Sequence, residues 1–196
     1  MPRSSSSPFD AFLGGPTIEA TARHVVQSLA AANQACALVG GAAMALYGSD
    51  RLTKDVDFIA SAVPDQPGRA LSFGGKTIKV DGVPVDIIVR DDEYEALYED
   101  ALLRRVHLHG LPVVRARHLA TMKIVSGRSK DIQDLHFLIR KALPTQREAM
   151  RKTVVQFLGT GIEFDQEERI ALLERKRERD VRKIRSAILR VGKRST

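Results

Sequence analysis

The sequence predicts an α/β (α+β) fold, in which a short mixed sheet is flanked by helices and followed by further C-terminal helices. Short apolar or alternating runs bounded by Gly, Pro or Asp, as expected of strands, lie mostly in the first half of the chain. Longer segments with apolar residues at helical spacing precede and follow these runs. The order indicates a mixed domain, and 43% hydrophobic residues are enough for its core.

The first predicted helix is marked by Ile18, Val25 and Leu29, whose spacing places them on one helical face. The short apolar run after it predicts a strand, and the pair of glycines that follows predicts a tight turn. In order, these elements are a helix over 16–32, a strand over 35–39, a turn at Gly40-Gly41 and a short helix over 42–47 that Gly48 ends.

Alternating side chains and a turn signal define the next strands. Residues 55–60, with the sequence DVDFIA, alternate acidic and apolar side chains. Asp81-Gly82 is a hairpin-turn signal between two further strands, 76–80 and 83–89. The remaining predicted elements are a helix over 92–105, a short extended pair over 106–114 around 110–112, and helices over 117–125, 130–141, 145–158 and 166–191.

The two ends of the chain differ in composition from the segment between them. Residues 1–15 begin with a Ser/Pro-rich stretch without the apolar region of a signal peptide, and we predict that they are disordered. A globular core is predicted over 16–143, and a C-terminal helical extension with a basic tail over 144–196. Ten Lys or Arg and only two acidic residues lie between 175 and 194, in a chain whose net charge is +7. Such a block favours a polyanionic or acidic partner, although a solvated helix face gives the same pattern.

Cysteine content and hydropathy indicate the compartment. Cys36 is the only cysteine, so no internal disulfide forms, which is typical of a cytoplasmic protein. Cys36 lies in an apolar run and is expected to be a small buried hydrophobic residue. No apolar run approaches the ~20 residues of a membrane span, so no membrane association is expected.

Three carboxylates form the first candidate site. Asp55 and Asp57 are two residues apart on a predicted strand, so their side chains share one face, the arrangement that holds divalent metal ions through oxygen. Asp86 lies inside the apolar run 83–89, where a lone carboxylate costs several kcal/mol unless it is paired or bound to metal. Asp86 is therefore either an ion-pair partner of a residue such as Arg51, or a third metal ligand and general base on a strand next to that of Asp55 and Asp57.

The Gly40-Gly41 pair is a candidate phosphate loop. Glycines let the backbone approach a ligand closely, and the N–H groups at the start of a helix bind anions. Gly41 lies 14 residues before Asp55, which would place a phosphate cradle beside the metal ligands. Arg51 and Thr53, just before the carboxylate strand, are candidates for phosphate contact. Mg²⁺ commonly bridges carboxylates and substrate phosphates, so the combination is more specific than its parts.

One run of the sequence joins these features: Gly40-Gly41-Ala42-x-x-x-Leu46-x-Gly48-x-x-Arg51-x-Thr53-x-Asp55-Val56-Asp57-Phe58. It closely resembles the first motif of the DNA polymerase β-type nucleotidyltransferase superfamily and, within it, the AbiEii-type toxin group. The resemblance implies the minimal nucleotidyltransferase fold. It also implies that Gly40 and Gly41 cradle the β- and γ-phosphates, that Asp55 and Asp57 hold the metals, and that Asp86 binds one metal and helps to deprotonate the attacking hydroxyl.

A second run, from Lys123 to Leu135, resembles a later motif of the same group, with a Lys on one helix and an Arg/Lys-Asp-x-x-Asp-Leu sequence on the next. The resemblance implies that Lys123 contacts NTP phosphate and that Asp131, or alternatively Asp134, supports the site. A local explanation also exists: Ser129 can cap the helix, Asp131 suits its first turn, and Asp134 can be solvated. The whole resemblance covers about residues 35–140.

The resemblance implies an NTP-dependent nucleotidyltransferase that uses Mg²⁺ or Mn²⁺, releases pyrophosphate and transfers a nucleoside monophosphate, for example from ATP. The expected acceptor is a hydroxyl of RNA, such as a tRNA end, or of a protein. The toxin-like motif adds the expectation of a toxin–antitoxin pair with an antitoxin protein as partner. The alternative is a catalytically inactive binding module of the same fold, whose basic tail binds nucleic acid or an acidic partner protein.

Overall fold

The computed structural model describes residues 16–192, with side chains from 17 to 183, so the predicted disordered segment 1–15 lies outside the described residues. Helices and strands alternate along the first part of this range, and only helices follow from 116 onward. The elements are α1 Pro16–Ala31, β1 Cys36–Val39, α2 Gly40–Leu46, β2 Val56–Ala60, β3 Arg69–Ala70, β4 Lys76–Val80, β5 Val83–Ile88, α3 Glu95–Leu103, β6 Val106–Leu108, β7 Leu111–Val113, α4 Ala116–Ser126, α5 Ser129–Lys141, α6 Pro144–Leu158 and α7 Ile162–Gly192.

The strands form one mixed sheet in the order β3-β4-β5-β2-β1-β7-β6. β2 pairs in parallel with β5, and β1 pairs in parallel with β7. The other neighbouring strands are antiparallel. The predicted fold class, a mixed sheet flanked by helices, is therefore confirmed.

The two faces of the sheet differ in character. Phe58 and Ile87 are neighbours across β2 and β5 and are completely buried. Leu29 of α1 lines a small cavity of about 260 Å³ together with Ile87, so α1 covers this apolar face. Successive side chains of a strand point to opposite faces, so Asp57 and Asp86 lie on the other face of the sheet. The alternation read from DVDFIA thus separates core residues from carboxylates.

Cys36 belongs to the apolar core at the start of β1. The side chain is buried, and burial raises the pKa of its thiol to about 11. A thiol with a raised pKa is a poor nucleophile. The prediction that Cys36 is a small buried hydrophobic residue is confirmed.

Two tight hairpins organise the edges of the sheet. Asp81 and Gly82 have φ values of 51° and 82°, as a two-residue hairpin turn with positive φ at both positions requires, so this predicted turn is confirmed. The second hairpin turns at His109 and Gly110, with φ values of 50° and 77°. The predicted turn around 110–112 was therefore placed too late, because residues 111 and 112 already pair within β7.

Two further local predictions were wrong, and one strand was not predicted. The two glycines Gly40-Gly41 are not a separate turn, because β1 passes directly into α2, which begins at Gly40 although the φ of that residue is positive. β2 begins at Val56, so Asp55 precedes the strand rather than opening it. The edge strand β3 was missed, because Arg69–Ala70 is too short to show any alternation.

The described chain divides into two compact units, with the division after Leu119, inside α4. The first unit holds the sheet. The second is helical: α7 packs on α5 and α6 through its N-terminal half, where Phe164 and Ala171 are completely buried. The predicted boundary between residues 143 and 144 stays a prediction. Of the helices described, none combines the length and apolar character needed to cross a membrane.

Candidate active site

A row of in-register residues crosses the sheet at the candidate site. Asp57 of β2 lies opposite Val39 of β1 on one side and opposite Asp86 of β5 on the other. Asp86 in turn lies opposite Thr77 of β4. Residues paired in this way share one face, and neighbouring strands are about 4.8 Å apart. The sheet therefore places the carboxylates of Asp57 and Asp86 side by side.

Thr77 orients the carboxylate of Asp86. Its hydroxyl Oγ1 donates a hydrogen bond of 2.6 Å to Asp86 Oδ1. Asp86 is half-buried, so this bond satisfies one oxygen of a carboxylate that would otherwise be costly to remove from water. Thr77 was not recognised in the sequence, although the register of the Asp81-Gly82 hairpin places residue 77 directly opposite residue 86.

Asp55 lies two residues before Asp57, but its carboxylate has a local partner. The side chain is exposed, and Thr53 Oγ1 lies 2.7 Å from Asp55 Oδ1 and 3.1 Å from the Asp55 carbonyl oxygen. Thr53 itself is buried. The structure thus gives Thr53 a role in holding Asp55, whereas phosphate contact by Thr53 stays a prediction.

Both glycines of α2 lie against predicted site residues. Gly40 has φ +58°, and a Cβ placed on it would lie 1.8 Å from Asp57 Oδ2. A Cβ on Gly41 would lie 2.8 Å from Thr53 Oγ1 and 3.1 Å from Arg51 Nη2. The structure therefore brings Gly40, Gly41, Arg51, Thr53 and Asp57 together. The glycines leave room for the protein's own carboxylate and hydroxyl side chains, and their predicted role as a phosphate cradle stays a prediction.

We expect Gly40→Ala to lower the free energy of unfolding by about 2–3 kcal/mol, because about 1 kcal/mol of backbone strain at positive φ adds to displacement of the Asp57 carboxylate. Gly48→Ala is the matched control: Gly48 has φ +87°, and nothing lies within 4 Å of the position its Cβ would take. Urea denaturation of both variants measures the difference. Equal losses would show that the contact with Asp57 does not constrain residue 40.

The donor set suits a hard divalent cation. Among the described residues, no group of three or more His, Cys, Asp or Glu side chains lies close enough together to hold a metal ion. Mg²⁺, however, is usually bound through one or two carboxylates, with substrate phosphates and waters completing its shell. The adjacent carboxylates of Asp57 and Asp86 supply this minimum, and metal binding by Asp55 stays a prediction. The residues present fit Mg²⁺ or Mn²⁺.

A second cluster of charges lies in the helical unit. Lys123 Nζ of α4 is 2.7 Å from Asp131 Oδ1 and 2.7 Å from Asp134 Oδ2, both on α5. The side chains of Lys123, Asp131 and Asp134 are only 7%, 1% and 5% exposed. The structure brings Lys123 together with both Asp131 and Asp134, a contact that the motif resemblance did not specify. The predicted contact of Lys123 with NTP phosphate stays a prediction.

Asp131 has further partners besides Lys123. Its Oδ2 accepts hydrogen bonds from Ser126 Oγ at 2.7 Å and Arg128 Nε at 2.5 Å. Burial alone would raise the pKa of Asp131, but the hydrogen bonds from Arg128, Lys123 and Ser126 outweigh it and lower the pKa to about 2. Asp131 is therefore a carboxylate throughout the physiological range.

The local explanation considered for this segment fails in two respects. Ser129 is the first residue of α5 and not its cap, because Arg128 occupies the capping position and no side chain caps the helix there. Asp134 is buried against Lys123 and is not solvated. Ser126 and Arg128 were not recognised in the sequence, since residues beside a glycine in a short loop show no periodicity that indicates where they point.

Comparison with solved structures finds a structural similarity. No protein-family model matches the sequence, and no curated protein matches it. Among solved structures, the chain is similar to the crystal structure of an antigenic nucleotidyltransferase-like protein from Paracoccidioides brasiliensis, with a TM-score of 0.42 and 17% sequence identity. The alignment covers 78% of this chain and 92% of that protein.

Proposed function

We propose that this chain is a metal-dependent nucleotidyltransferase, which transfers a nucleoside monophosphate from an NTP to a hydroxyl and releases pyrophosphate. One observation carries the proposal: Asp57 and Asp86 are adjacent in register on parallel strands, with Gly40 pressed against Asp57. A fold gains no stability from two carboxylates side by side, because like charges on neighbouring strands destabilise a sheet. A divalent cation shared by the two carboxylates would offset this repulsion.

Asp57 and Asp86 would hold Mg²⁺ or Mn²⁺, with Asp55 as an additional oxygen donor. When bound, the metal supplies neutralisation of the charge that develops on the triphosphate. The protein otherwise contributes by positioning the reacting groups. The acceptor hydroxyl oxygen forms a bond to the α-phosphorus, the bond from that phosphorus to the β-phosphate bridging oxygen breaks, and the hydroxyl proton passes to a base. Asp86 is the proposed base, with Thr77 fixing one of its oxygens and so the direction of the other.

The acceptor and the biological role are also proposals. The sequence motif supports a hydroxyl of RNA, such as a tRNA end, or of a protein as acceptor, with ATP among the candidate donors. The same motif supports a role as the toxin of a toxin–antitoxin pair in the cytoplasm. These assignments rest on residues 40–58 and 123–135, which carry the resemblance.

A non-catalytic binding module of the same fold is the second candidate. The observation that favours it is that no three acidic or histidine side chains converge among the described residues. In that case the basic helix α7 would carry the function. The two candidates differ in whether a covalent product forms.

Incubation of the protein with each of the four α-³²P-labelled NTPs tests the proposal, with total RNA or cell lysate as acceptor and Mg²⁺ or EDTA present. We expect label to be transferred to RNA or protein from at least one NTP, only with the metal present, together with release of pyrophosphate. Absence of labelled product from all four NTPs with both acceptors, in a protein that is folded, would contradict the proposal and favour the binding module.

A further inference from the structure

Helix α7 changes its environment halfway along its length. Phe164 and Ala171 are completely buried against the helical unit. From 173 to 183 every side chain is exposed. The first half of α7 is therefore a packed element, and the described part of its second half is a helix that projects all its side chains into solvent.

The packed first half of α7 is acidic, and four of its five acidic side chains pair with basic residues of the same unit. Carboxylates of α7 pair with basic side chains of α5 and α6, at 2.5 to 2.9 Å. The pairs are Asp165 with Arg151, Glu167 with His136, Glu168 with Arg147 and Glu174 with Arg140. These contacts fix the first half of α7 on its own unit, so the basic second half has no need of its cations for docking.

The cations of the exposed half form a stripe. Arg175, Arg179 and Lys183 are spaced by four residues, which places them along one side of the helix about 6 Å apart. At about 100° per residue, Lys176 and Arg182 flank the same side within an arc of about 120°. We call these five residues the basic face. The three acids of this stretch fall outside that arc: Glu174, Glu178 and Asp180.

The side of α7 opposite the basic face carries apolar side chains. Leu173 and Val181, both exposed, lie there, and Arg177 shares that side. The basic face itself contains no apolar residue between 175 and 183. Interfaces between proteins need an apolar centre that is depleted of charge, whereas interfaces with nucleic acid are much more polar and positively charged. The basic face therefore has the composition of a nucleic-acid surface and not of a protein-docking surface.

We propose that the basic face of α7 binds the phosphate backbone of nucleic acid, independently of base sequence. The affinity comes from release of counterions when Lys and Arg neutralise phosphates. This binding requires neither NTP nor metal, so it is separable from the proposed transfer reaction. If RNA is the acceptor of that reaction, the same surface is a means of holding it.

The test uses the full-length chain and a fluorescein-labelled 20-nucleotide single-stranded RNA of mixed sequence, without NTP or metal. Fluorescence anisotropy measures affinity from 50 to 300 mM KCl for Arg175→Gln/Arg179→Gln and for a control, Lys152→Gln/Arg177→Gln. The control removes the same charge from exposed positions outside the basic face. Glutamine keeps helix propensity close to that of Lys and Arg.

For the basic-face variant we expect at least ~10-fold weaker binding at low salt, and a fall of about 1.4 in the slope of log affinity against log salt, from two lost phosphate contacts. The control should stay within about twofold of the unchanged protein. Equal weakening of both variants would show that net charge, and not the basic face, is responsible. Unchanged RNA binding in both variants would show that the basic face does not bind nucleic acid. Poly-glutamate and unlabelled RNA can be compared as competitors at equal charge. If poly-glutamate competes as strongly as RNA, the proposal of a nucleic-acid partner is overturned in favour of an acidic protein.

Discussion

Replacement of Lys123 by methionine is expected to lower the free energy of unfolding by about 3–5 kcal/mol, because removal of one partner of a buried ion pair leaves charge uncompensated. Lys123 contacts both Asp131 and Asp134, and all three side chains are buried. Methionine is close to lysine in length, so loss of charge and not a cavity dominates the change. Urea denaturation monitored by circular dichroism measures the loss.

Lys130→Met is the matched control for this prediction. Lys130 lies on α5 but is exposed, so the same chemical change there should alter stability by no more than about 0.5 kcal/mol. Equal losses in the two variants would show that the buried cluster does not hold the helical unit together. Asp134→Asn should lower the free energy of unfolding less in the Lys123→Met protein than in the unchanged protein, because the two residues share one interaction.

The acid limb of the stability curve gives a second readout of the same cluster. The pKa of Asp131 is lowered from 3.8 to about 2 in the folded protein. A carboxyl group with a lowered folded pKa binds fewer protons when folded, so its contribution of about 2 kcal/mol is present above pH 4 and is lost as pH falls from about 4 to 2. Lys123→Met removes one of the hydrogen bonds that lower this pKa. The free energy of unfolding of the variant should therefore depend less on pH between about 4 and 2 than that of the unchanged protein.

Asp57→Asn is expected to reduce nucleotidyl transfer by at least ~10³-fold, since stabilisation by a bound metal amounts to several kcal/mol and each 1.4 kcal/mol is a factor of ten. Asparagine keeps the shape of the side chain against Gly40 but removes the negative charge that binds a cation. Initial rates with labelled NTP across a Mg²⁺ titration measure the effect. Thermal melts with and without Mg²⁺ and NTP show whether the variant is folded and whether the metal still stabilises it.

Asp65→Asn is the control for Asp57→Asn, because Asp65 is an exposed carboxylate of the same unit outside the site. It should keep full activity and the full response to Mg²⁺. Asp86→Asn should behave as Asp57→Asn does, and the double variant should lose little more than either single one, since the two act as a unit. Normal transfer by a folded Asp57→Asn protein would mean that the carboxylate pair is not the catalytic site.

Local signals predicted much of the sheet. Asp81-Gly82 gave the β4–β5 hairpin, because a two-residue turn fixes the register of both strands. The alternation in DVDFIA gave the direction of Val56 and Phe58, both completely buried. What local patterns do not contain is the parallel partner of a strand. A neighbouring strand for Asp86 was predicted only from the needs of a metal site, and the register that pairs Asp57 with Asp86 required the three-dimensional structure.

The candidate site shows the same limit. The sequence favoured Asp55 and Asp57 as the adjacent carboxylates, because spacing along one strand is visible in a sequence. In the structure Asp57 and Asp86 are the cross-strand pair, while Asp55 lies outside β2 with its carboxylate against Thr53. The glycines at 40 and 41 were recognised by type, but the side chains that press on them come from residues 51–57, beyond the reach of a local pattern.

The β4–β5 hairpin also sets an order of folding events. Residues 77 and 86 are brought together by a two-residue turn, and hairpins close in about 1–10 μs, so the Thr77–Asp86 hydrogen bond belongs to a local, fast-forming unit. Asp57 reaches Asp86 only after the chain between β2 and β5 has closed, at a higher entropic cost. We expect Asp86 to be oriented before Asp57 arrives. The carboxylate pair is thus assembled from one half that is set early and one that docks late.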